Sequence, residues 1–361
     1  MNKFYFLGLL ILLTVSGIAQ QKDTGALAKF VQQKVEENFA KSKVPGILVF
    51  YSNKDRQGFY TAGFADPIAK TSFNENTFFE IGSITKTFTA YVLMNVLKHR
   101  DKPIPDTAFI LHYLPDSVKK NTALSHIRFL NLLNHTSGLP RLPENMELKE
   151  NDLQPYQQYD SKKLFAYLKT AKPSTEAEYE YSNLGAALAG VLAERISGKS
   201  YAALLDQYIF LPFKMVDKNN SIEKSTNKSL GFIDDSTKAE YWNMNVMASA
   251  GGLKSNAKEM SIYLTNMSTP IGKDNIAIID SLTSSTHSLS PVMGIGRGWH
   301  YLALKNKPVI YWHNGGTYGF STFAAFVKQT NQWVMVVVNK FDKNDTVSDK
   351  LGMQIMNKML E

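Results

Sequence analysis

Strand-like runs gather at the two ends of this 361-residue chain, and helical patterns fill the middle. That distribution limits the possible folds more than any other feature. An amphipathic pattern covers 24–44, with Leu27, Phe30, Val31, Val35 and Phe39 on one face. Pro45-Gly46 stops it, and strand-like runs follow from Ile47 to Tyr51 and from Phe59 to Phe64. Near the other end, Thr322 to Val327 and Trp333 to Val338 read as a hairpin turning near Thr330-Asn331. A last helix carries Val347, Leu351, Ile355 and Met359 along one stripe. The pattern predicts the α+β class: an antiparallel sheet built from both termini and flanked by helices, with a mostly helical unit inserted. The expected division is a discontinuous sheet domain, 20–83 and 250–361, around a helical domain, 84–249. The polar stretch 216–229 reads as a surface loop.

Residues 1–19 read as a secretory signal. Lys3 is the only charge, Phe4 to Ile18 is mostly apolar, and Gly17-Ile-Ala19 offers small residues for cleavage. The apolar run is shorter than the roughly 20 residues a spanning helix needs. Export to the periplasm or medium of a bacterium, without a stable membrane anchor, is the expectation. The chain has no cysteine, so an exported form depends on its core for stability. The formal charge of +8 is spread among many acids and forms no dense basic block, which argues against nucleic acid as a partner. Seven histidines are scattered with no His-Glu-x-x-His, so no metal or other cofactor is implied.

Three constellations carry chemistry. The first is Ser83-Ile-Thr-Lys86, between a strand-like run (Phe78, Phe79, Ile81) and a helical pattern (Ile84, Phe88, Tyr91, Val92, Met94, Leu97). Residues three apart share a helix face. A serine needs a base to become a nucleophile, and a lysine serves once burial lowers its pKa. A helix N-terminus also favours a developing oxyanion. Spacing alone is weak evidence. The same pattern recurs at Ser117, Ser221, Ser225 and Ser255, and Ser83 read by itself is an N-cap with a solvated lysine behind it.

The second constellation is Tyr181-Ser-Asn183, at the start of a small-residue helix. A tyrosine beside a lysine cation would ionise more readily and act as a base, and an asparagine amide suits a substrate amide. Tyr51-Ser-Asn53 and Tyr241-Trp-Asn243 are decoys. The third is His313-Asn-Gly-Gly-Thr317, whose glycines (Gly315, Gly316) allow close backbone approach and a second oxyanion donor. Read alone it is a glycine-rich turn with a surface histidine.

In this order, Ser-x-x-Lys, Tyr-x-Asn and His-x-Gly resemble the serine β-lactamase and penicillin-binding-protein family, specifically its branch related to class C β-lactamases, which includes D-Ala-D-Ala carboxypeptidases and esterases. Phe79 to Lys86, Leu132-Leu-Asn-His-Thr-Ser-Gly-Leu139, Ala250-Gly-Gly-Leu253 and Gly296-Arg-Gly-Trp299 also resemble family segments, the last as a strand. The resemblance spans nearly all of 20–361 and implies a β-lactamase/transpeptidase-like fold. It implies Ser83 as the acylated nucleophile, Lys86 as proton acceptor, and Tyr181 as general base and then acid. It implies Asn183 on the substrate's acyl-side amide, with Gly315 and Gly316 lining the oxyanion site. It also implies that Ser255 caps the helix after the Gly-Gly-Leu turn. His313 stands where many members have lysine, so a substrate carboxylate would be held by charge only in acid and otherwise by hydrogen bonds from Thr317. The implied activity is carboxypeptidase-like hydrolysis of D-Ala-D-Ala-type amides or esters. The rivals are a β-lactamase or broad esterase with the same machinery, and a non-catalytic binder of peptidoglycan or β-lactam. Arg297 is a second candidate carboxylate clamp, more readily read as a solvated strand arginine. His135 is read as stapling a loop, and Trp299 and Tyr318 as pocket or core.

Overall fold

A computed structural model of the chain describes residues 21–149, 152–216, 222–223, 225–341 and 346–361. The signal segment 1–19 and part of the expected loop 216–229 lie outside the described residues. Both chain ends feed one nine-stranded sheet. The strand Gly46–Asn53 pairs antiparallel with Gln332–Val338, which joins the N-terminal hairpin to the C-terminal one. The N-terminal hairpin adds Arg56–Gly63, and the C-terminal one adds Ser321–Val327 and then Ile310–Gly316. Beyond these lie short strands His300–Leu302, Met293–Ile295 and His287–Ser288. Among the described strands of this sheet, the two-residue edge strand Gln21–Lys22 alone pairs in parallel.

Strand period decides which side chain enters which core. Val334, Val336 and Val338 face the terminal helices Ala26–Lys41 and Val347–Met359, packing with Val31, Val35, Leu351 and Ile355. Trp333, Met335 and Val337 face the other way, into the core that includes Met260, Leu264 and Phe326. A strand buried on both faces reads as an unbroken apolar run, which is why these strands were legible. Each fully buried aliphatic side chain there contributes about 1.5–3 kcal/mol. The hairpin turns through Gln329 and Asn331, both at positive φ.

Two local expectations are corrected. Gly296 to Trp299 is the turn between Met293–Ile295 and His300–Leu302, with Gly298 at φ 82°, in the left-handed region that suits a glycine turn. Ser255 is not the helix cap. It lies in a short strand pairing with Phe79–Glu80, and Asn256 caps the helix Ala257–Ser268 by accepting from the Glu259 N–H at 2.9 Å.

Helices between the two ends position the site. A 3-10 turn, Gly82–Ile84, leads into Thr85–Lys98, which is buried almost all round. Against it pack Asn183–Ser197 and the short helix Ala248–Gly251. Small residues allow the approach: a Cβ on Gly190 would lie 2.4 Å from that of Ser249. Among the described residues no helix is long and apolar enough to cross a membrane.

Candidate active site

The three packed helices converge on one amine. Lys86 is 3% exposed, and its Nζ lies 2.9 Å from Ser83 Oγ, 2.8 Å from Asn183 Oδ1 and 2.6 Å from the Ala250 carbonyl. Residues 83, 183 and 250 therefore meet at a single nitrogen. Burial pushes the Lys86 pKa well below its usual value, and the Arg141 charge pushes it the same way. Ser182, not Asn183, caps its helix by accepting from the Gly185 N–H. Asn183 is left to bond with Lys86.

Tyr181 arrives from irregular chain just before that helix. Lys86 Nζ stands 4.8 Å from its ring centroid, and the neighbouring Ser83 hydroxyl acts to lower the phenol's pKa. The expectation of a readily ionised phenol is overturned. Burial pushes the Tyr181 pKa upward, and the Ser83 hydroxyl and the Arg141 charge offset only part of that rise. A largely desolvated lysine supplies too little positive charge to stabilise a phenolate. His135, at φ 61°, packs 4.5 Å from the Tyr181 ring and accepts from the Ser182 N–H through Nδ1, so it staples the loop as expected.

The strand Ile310–Gly316 forms the opposite wall. A Cβ on Gly315 would lie 2.1 Å from the Ile81 carbonyl oxygen, and one on Gly82, at φ 51°, would lie 2.6 Å from the Gly316 nitrogen. Glycine alone lets the two backbones come this close, which sets the Gly316 amide beside the Ser83 turn. Gly315, Gly316 and Thr317 line a cleft of about 370 Å³ together with Ser83, Tyr181 and Asn183.

His313 departs from expectation. It is 0% exposed, lies outside the cleft lining, and has its Nδ1 2.6 Å from the Asn314 carbonyl. Its ring packs against His300, and burial, then the charges of His300 and Lys86, hold its pKa well below the usual value. Buried and outside the cleft lining, it is not placed to clamp a substrate charge. The sheet buries this side chain and presents its neighbour Asn314 to the cleft instead.

Arg297 is not a clamp either. It bonds with Asp106, the Ser281 carbonyl and Ser284. The decoy Tyr241 donates to the Phe78 and Ser229 carbonyls, a structural role. Trp299 is core, whereas Tyr318 lines the cleft. Sequence reasoning missed two charged lining residues, Arg141 and Asp349. The available signal for the first was a lone cation closing the turn Gly138-Leu-Pro-Arg141.

A serine beside a desolvated amine and a phenol, facing a glycine-lined strand on a sheet of both termini, has the form of a β-lactamase/transpeptidase-fold serine hydrolase. The family model described as Beta-lactamase matches residues 27–354, and the chain belongs to that family. A "Beta-lactamase" of Yersinia enterocolitica is 25% identical over 90% of this chain and 89% of that protein. A "Beta-lactamase" of Providencia stuartii is 28% identical over 62% of this chain, and the match spans about half of that protein, 55%. The crystal structure of a class C β-lactamase from Rhodobacter sphaeroides superposes with a TM-score of 0.74 over 91% of this chain and 98% of that one, at 18% identity. That likeness establishes the fold.

Proposed function

We propose that this is an exported serine hydrolase that acylates Ser83 with amides or esters of the D-Ala-D-Ala peptide class. One observation carries the reading: the hydrogen-bond inventory of Lys86. Asn183 Oδ1 and the Ala250 carbonyl are acceptors only. A neutral amine donates its two hydrogens to them and keeps its lone pair for the Ser83 hydroxyl. Ser83 Oγ then attacks the substrate carbonyl while its proton passes to Lys86. The oxyanion takes the N–H groups of Ser83 and Gly316. Tyr181, kept protonated by burial, gives its proton to the leaving group and is refilled from Lys86. Water then hydrolyses the acyl-enzyme. With Asn183 Oδ1 committed to Lys86, its Nδ2 is available to a carbonyl on the acyl side of the substrate.

Intact-protein mass spectrometry after incubation with a penicillin or an aryl ester tests this. A single acyl adduct mapping to Ser83, absent in Ser83→Ala, is expected. An adduct elsewhere, or none, overturns the reading. The names of the matched relatives favour a second reading, a β-lactamase with the same machinery. Turnover of nitrocefin against D-Ala-D-Ala peptides and nitrophenyl esters separates the two. A burst without steady turnover would instead indicate a binder acylated once.

A further inference from the structure

The cleft carries opposite charges on its two sides. Arg141 lines it beside Tyr181, with its guanidinium carbon 5.1 Å from that ring centroid. Among the described residues no carboxylate or other side chain pairs with this guanidinium, although its backbone is fixed: the Arg141 carbonyl accepts the Asn183 N–H at 3.0 Å. Arg141 and Asn183 thus occupy one corner. Asp349 lines the cleft beside Asn314, whose Nδ2 donates to its Oδ2 at 2.7 Å. Ser348 donates to its other oxygen at 3.3 Å, and among the described residues no cation pairs with it.

We infer that Arg141 is the anion anchor of this cleft, selecting substrates that carry a carboxylate on the acyl side of the bond cut. The inference rests on the reading that Ser83 is acylated and that Asn183 holds the acyl-side amide. A guanidinium with no protein partner, stacked over an aromatic face, keeps its planar fork free for a carboxylate. Where many family members carry a lysine this chain buries His313, and among the described residues Arg141 is the cation that lines the cleft. The substrate class is therefore a D-Ala-type amide or ester whose acyl portion is acidic.

The test uses three D-alanine phenyl esters with the full chain lacking residues 1–19. One carries an N-succinyl group, one the uncharged N-succinamoyl isostere, and one an N-acetyl group with a carboxylate on the phenol. The succinyl ester is expected to lead the succinamoyl ester at least about tenfold in kcat/KM, the carboxyphenyl ester should be unmoved by the loss of Arg141, and the succinyl preference should shrink as salt is added. In Arg141→Gln the succinyl-to-succinamoyl ratio falls toward one, and in Arg141→Glu it inverts, whatever happens to the absolute rates. Equal wild-type kinetics for the succinyl pair, or a ratio kept in Arg141→Gln, overturns the anchor while leaving the acyl-enzyme intact. If no ester acylates Ser83, the hydrolase reading fails and the anchor with it.

Discussion

Replacing Lys86 by methionine separates its chemical role from its structural one. Methionine fills nearly the same volume and can accept no proton. A positioned general base contributes about 10²–10⁴ in rate, or about 2.7–5.4 kcal/mol at 1.36 kcal/mol per decade. The rate of Ser83 acylation, followed by intact mass, should fall by that factor. Stability should change less. The variant leaves Asn183 Oδ1 and the Ala250 carbonyl short of a donor, at about 1–3 kcal/mol each, but no longer buries an amine. The second readout is the slope of stability against pH. The folded-state pKa of Lys86 is depressed, so between that value and the unfolded value of about 10.4 the unfolded chain binds the extra proton. Stability then rises with pH, by up to about 1.4 kcal/mol per unit within that window. Denaturant midpoints from about pH 7.5 to 9 stay about a unit or more from the ordinary pKa values of histidine (~6.5) and tyrosine (~10). The wild type should show the rise and Lys86→Met should lack it. Parallel curves, or acylation of the variant within tenfold of wild type, would refute the desolvated-base argument.

The buried histidines His135, His300 and His313 set an acid limit. Burial lowers all three, His300 to about 4, so their contribution is complete above about pH 6.5 and falls as pH drops, by up to about 1.4 kcal/mol per unit for each. Chemical denaturation at pH 7 and 5 should show this loss, reduced in His300→Phe. Because His313 is buried away from the cleft and burial lowers its pKa, wild-type KM for carboxylated substrates should not change in step with a titration between about pH 6 and 8 beyond the change seen for their uncharged analogues. Tyr181→Phe should lower turnover at least about 10²-fold. Tyr241→Phe should keep turnover and lose about 1 kcal/mol of stability from its two carbonyl contacts. Gly315→Ala drives a Cβ into the Ile81 carbonyl and should cost about 10²–10³ in acylation rate while Ser83 remains in place. Asn256→Ala should cost about 1 kcal/mol and Ser255→Ala less, as read from thermal unfolding, since Asn256 is the cap.

Much of the fold was legible because its signals are local. The apolar runs at 47–51, 322–327 and 333–338 lie within observed strands, and the terminal helices follow their apolar stripes. The short strands at 287–302 were not legible. Two or three residues hold no period, and three glycines (Gly294, Gly296 and Gly298) lie among them. Within the site, Ser83, Lys86, Tyr181 and Asn183 converge as the motif order implied. Arg297 was misjudged because its partner Asp106 lies 191 positions away. No spacing rule reaches that far.

Sequence by itself determined which chemical groups were present and which short segments would be helix or strand, since both follow from neighbours a few residues apart. Tertiary structure alone decided their charge states and directions. Desolvation of Lys86 needs Ala250 and Asn183 folded over it, the sheet must close over His313 to silence it, and Arg141 and Asp349 face one cleft only because the chain's middle and its end meet there. The free energy of a charge depends on everything within several ångströms in space, and that neighbourhood is not written in sequence order.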